Sequence, residues 1–209
     1  MQRIHRAFVN HPIALAATFL AMAGMLVYGV PDLMPPLRAE KTAAEKVLPA
    51  PAVNKDVEVL RDISTLPPQV ARMRGAILSA AATGEVENLR VPIDMNELPP
   101  MLAAEKIKDP MAYWREISGD GQGREVMATL IQLFRTGFAR KGAGTENELY
   151  VWPYFVGKPL SDLTPPERVE LLRIVTAGDL MGMEESGNYN FYRIGISPDG
   201  EWKFMAGGD

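Results

Sequence analysis

The chain has 209 residues, with 22 basic and 26 acidic side chains, two histidines and no cysteine. Both histidines, His5 and His11, precede an uncharged apolar run, so everything after that run lacks His and Cys altogether. This excludes thiol nucleophiles, His-based triads, Cys/His zinc sites, His-ligated haem and disulfides, and no cofactor or metal is expected.

The apolar run extends from Ile13 to Val30 (IALAATFLAMAGMLVYGV). Its eighteen residues, as a helix rising 1.5 Å each, reach roughly 27 Å, close to the hydrocarbon thickness of a bilayer. Arg3 and Arg6 ahead of it hold that end in the cytoplasm and place the rest on the far side. Two readings stand. The small-x-small triplet Ala21-Met22-Ala23 suits signal-peptide cleavage, whereas the apolar stretch through Tyr28 suits an uncleaved anchor. The expected location is the inner membrane, single-pass with a periplasmic C-terminal domain, or the periplasm if the leader is cut.

Beyond the run there are 20 basic and 26 acidic residues, a net of −6. That balance disfavours nucleic acid or an anionic membrane surface as partner. Residues 31–56 are rich in Pro and Ala and read as a tether, with a short helix possible from Arg38 to Val47. Residues 57–209 are enough for one domain with a single core.

Within that domain, apolar residues at helical spacing predict a first helix from Pro67 to Thr83. A short helical piece from Glu85 to Arg90 and another opened by Leu98-Pro99-Pro100 and running to Ile107 follow. Asp109-Pro110 is an N-cap with Pro at the first helical position, starting a helix that ends at Ile117. The run from Arg124 to Thr136 carries the widest apolar stripe. Thr164-Pro165-Pro166-Glu167 is a capping box opening a helix to Val175, and a short helix is expected from Asp179 to Ser186. Strands are expected at residues 138–141, 149–155 (LYVWPYF), 189–196 and 201–206, the last two joined by a turn at Ser197-Pro198-Asp199-Gly200. Helices first and a small antiparallel sheet late make the expected class α+β, a helical half packed on that sheet.

Several constellations are candidates for chemistry. Ser118-Gly-Asp-Gly-Gln-Gly123 leads into a helix, so Gly121, Gln122 and Gly123 with Arg124 form a candidate anion site. It is neither a Walker loop nor a dinucleotide fingerprint, and its plainer reading is a turn capped by Asp120. Glu146, Glu148, Asp162, Glu167 and Glu170 meet no ligand spacing and read as a solvated rim. No Ser-x-x-Lys or Gly-x-Ser-x-Gly motif occurs. Tyr150, Trp152 and Tyr154 belong to a strand apolar on both faces. One face fills the core, and the other is expected to offer an aromatic surface to a protein or glycan.

Glu184-Glu185-Ser186-Gly187 closes a helix, and its Glu-Ser pair faintly resembles that of soluble lytic transglycosylases. The Gly-Leu-Met-Gln segment that follows it in that family is missing here. Glu185 is then the candidate catalytic acid of a glycan-acting protein. The blocks DISTLPPQVARMRGAI, NELPP, ISGDGQGRE, ELYVWPYF, LTPPERVELLRIVTAGDL and NFYRIGISPDGEWKF resemble those of uncharacterised exported or membrane-anchored alphaproteobacterial proteins over about residues 60–209. The resemblance implies a bacterial envelope protein and carries no activity with it. The expected function is therefore a non-enzymatic envelope protein that binds an envelope protein or glycan through its aromatic surface. The alternatives are carboxylate-based glycan chemistry and small-anion binding.

Overall fold

The computed structural model describes residues 56–207. The apolar run, the tether and the helix expected from Arg38 to Val47 lie outside the described residues. Among the described residues no helix is long and apolar enough to cross a membrane.

The chain opens with β1 (Val57–Leu60) and then α1 (Pro68–Ala81), which has Pro68 in its first turn, where a missing N–H costs nothing. A 3-10 turn leads into α2 (Arg90–Asp94). α3 (Pro110–Ile117) is capped by Asp109, whose carboxylate accepts from the N–H groups of Met111 at 3.0 Å and Ala112 at 3.3 Å. α4 (Arg124–Phe134) follows, then the hairpin of β2 (Phe138–Lys141) and β3 (Leu149–Trp152). α5 (Pro165–Leu171) and α6 (Ala177–Ser186) both start with capping boxes, Thr164 with Glu167 and Thr176 with Asp179. β4 (Arg193–Ile196) and β5 (Trp202–Ala206) close the fold. Their turn needs Gly200, whose φ of 91° is open to glycine at little cost.

The result is α+β: helices on a five-stranded antiparallel sheet ordered β1-β2-β3-β4-β5. Register puts Leu60, Phe138, Trp152 and Ile194 in one row, and Tyr150 beside Ile196. Those side chains share a face, and α1, α3 and α4 bury it with Val70, Met73, Ile77, Trp114, Leu130 and Phe134. Trp114 stacks on Trp202 with ring centroids 5.8 Å apart. A second core joins Tyr154 and Phe155 to Leu160, Leu171, Leu180 and Tyr189 of the α5–α6 segment. Its leading 3-10 turn, Tyr154–Gly157, covers the opposite sheet face. A Cβ on Gly157 would stand 2.7 Å from Val57 Cγ1 and 3.3 Å from Ala139 Cβ.

The helix expected to run to Val175 ends at Leu171 and the strand expected from residue 189 begins at Arg193, and three larger differences shape the sheet. β1 was not expected as a strand; it pairs with β2, which lies far along the chain. Residues 98–107 form no helix, because Met101 is drawn onto the edge of β5, with Met101 N donating to Lys203 O and Met205 N donating to Met101 O, both at 2.9 Å. The third strand stops at Trp152, since Pro153 has no N–H for the ladder and the chain turns away into the second core. Asn96 completes the β5 edge: its side chain donates to Trp202 O at 2.8 Å and accepts from Trp202 N at 3.0 Å. Trp202 to Met205 is thus an edge closed by the chain itself.

Candidate functional site

The aromatic surface expected at Tyr150, Trp152 and Tyr154 is not formed, because these residues are 5%, 0% and 0% exposed. Tyr150 and Trp152 lie on the face covered by α1, α3 and α4. The Trp152 ring meets Phe134 edge-on at 5.1 Å and Phe138 at 5.4 Å. Tyr154, beyond Pro153, turns into the second core with its ring centroid 4.2 Å from that of Phe155. A strand apolar on both faces does need two covers, and this chain supplies both. The two hydroxyls are satisfied locally, Tyr150 donating to Glu148 at 2.9 Å and Tyr154 to Glu170 at 3.0 Å, while the buried Trp152 Nε1 has no hydrogen-bond partner among the described residues.

The glycine-rich loop holds its own carboxylates. Asp120 accepts from the Ser118 hydroxyl at 2.7 Å and from Gln122 N at 3.1 Å, and the Ser118 bond leads in holding its carboxyl below the usual range. Glu125 accepts from Gly119 N at 2.7 Å, and Gly121 N donates to Ser118 O at 2.9 Å. Arg124 is exposed, 4.0 Å from Asp120. Of the donors an anion would need, Gln122 N already faces Asp120 and Gly121 N the Ser118 carbonyl, so the loop reads as the turn capped by Asp120.

Glu185 is exposed on α6. Its neighbour Glu184 accepts from Arg168 at 2.6 Å on the protein surface. Two other acidic candidates, Glu148 and Glu167, are tied down. Glu148 accepts from Arg140 at 2.8 Å and from Gly144 N at 2.6 Å, which hold its carboxyl at about 2. Burial pushes Glu167 up, but bonds from Lys158, Thr164 and Arg61 outweigh it, and its carboxyl also falls to about 2. Carboxylates so depressed stay ionised at neutral pH and serve as anchors for their cations. Among the described residues no group of three or more Asp, Glu, His or Cys could hold a metal ion.

The structure instead brings together residues that sequence reasoning set apart. A cavity of about 660 Å³ opens between the Met101–Ala104 stretch, Tyr113 of α3, and Phe191, Tyr192 and Arg193 at the entry to β4. The three rings are half-buried. Phe191 and Tyr192 meet edge to face at 5.1 Å. Burial pushes the Tyr192 hydroxyl above its ordinary range, with Tyr113 and Glu125 nearby adding to the effect. On the other side of the same stretch, a second cavity of about 460 Å³ is lined by Leu98, Ile107 and Trp202. Met101, more than half exposed, borders both. Apolar walls with a few polar groups suit ligand contact, and the volumes fall in the range of small-ligand clefts.

One signal for this site lay in the sequence. Phe191 and Tyr192 are adjacent aromatics at the entry to a strand, and because β4 begins only at Arg193 the two rings are not held on opposite faces and line one cavity together. Tyr113 carried no such signal, because its helix brings it to the cavity only through packing of α3 beside the sheet. No protein-family model, no curated protein and no solved structure matches the chain.

Proposed function

We propose that this is a bacterial envelope protein, anchored or exported through the run from Ile13 to Val30, whose domain binds another envelope component. The contact site we assign is the cavity walled by Tyr113, Phe191 and Tyr192, in place of the aromatic surface expected on β3. One observation carries the reading: three half-buried aromatic rings from two distant parts of the chain line a single open cavity beside the exposed Met101. The net charge of −6 beyond the apolar run favours a neutral or basic protein over nucleic acid.

Site-specific photocrosslinking in intact cells tests this. A crosslinking residue at Ala103 or Tyr113 is expected to yield a discrete protein adduct, while one at Glu185 yields none. An adduct that collapses on digestion with a muramidase would transfer the reading to a glycan. Equal, diffuse labelling from all three positions would sink it. Fractionation of the same cells, with mass measurement of the mature N-terminus, distinguishes an anchor from a cleaved leader.

A further inference from the structure

We draw no further inference here: the strongest candidate, the outer edge of β1, where the ladder bond from Gly142 N to Asp56 O turns the backbone groups of Val57 and Val59 away from β2, carries nothing because nothing in the structure shows what covers it.

Discussion

Arg61 lays its guanidinium 4.3 Å from the ring centroid of Tyr154 and donates to the Tyr154 hydroxyl at 2.7 Å. The same guanidinium reaches Glu167 at 3.0 Å and Glu170 at 3.1 Å, so the residue just after β1 is fastened to the second core and to α5. Arg61 is half exposed, which screens its ion pairs, and the buried hydroxyl is the more valuable partner. Tyr154→Phe is expected to cost about 1–2 kcal/mol, as it strips a partner from both Arg61 and Glu170. A double-mutant cycle with Arg61→Ala is expected to show coupling of about 0.5–1 kcal/mol in urea denaturation. Strict additivity would refute the link.

Acid should loosen the fold in a defined window. Arg140, the largest cause, holds Glu148 at about 2, and Glu167 also lies at about 2. An unfolded glutamate titrates near ~4.3. A folded value below the unfolded one adds stability that is complete above the unfolded value and disappears as pH falls toward the folded one. Stability is therefore expected to decline from about pH 4 to about pH 2, with little change between about pH 6 and 8 from these groups. Glu148→Gln should lower the urea midpoint at neutral pH and flatten the decline below pH 4. Parallel profiles for the two proteins would show that Glu148 plays no part.

Gly137 stands where β2 begins and β1 ends. A Cβ there would lie 2.4 Å from the backbone oxygen of Leu60, an atom that moves only if β1 moves. Gly137→Ala is expected to destabilise by about 2–3 kcal/mol through this overlap. Thermal melts give the total. Amide exchange accelerated in β1 above all would identify the cause, whereas an unchanged melting temperature would disprove the clash.

Asn96 imitates a strand with its side chain, pairing with both backbone groups of Trp202. Asn96→Ala is expected to cost about 1–2 kcal/mol and to speed hydrogen exchange at the Trp202 amide. Asn96→Asp keeps the acceptor but loses the donor, so it should protect that amide while still losing stability. Equal protection in Ala and Asp variants would rule out the pairing as drawn.

Local signals placed the helices well. Asp109, Thr164 with Glu167, and Gly200 each act through neighbours a few residues away, so cap and turn chemistry could be read directly. The first helix, expected from Pro67 to Thr83, is found at Pro68–Ala81. What escaped depends on distant partners. Val57-Glu58-Val59-Leu60 is too short to announce a strand, and only β2 makes it one. Leu98-Pro99-Pro100 looked like a helix start until β5 captured Met101. The misplaced aromatic surface has the same origin: whether Tyr154 is bare or covered depends on α5 and α6, which close over it from later in the chain.

The pairing of Leu60 with Phe138 also sets an order of events. A ribosome delivers β1 well before β2, and four helices must be made before that strand, its ladder partner among the described residues, exists. Closing so long a loop carries an entropic cost that local helices do not meet. A nascent chain thus holds β1 without this partner until β2 emerges, and interruptions of synthesis before Phe138 leave that strand open to wrong attachments.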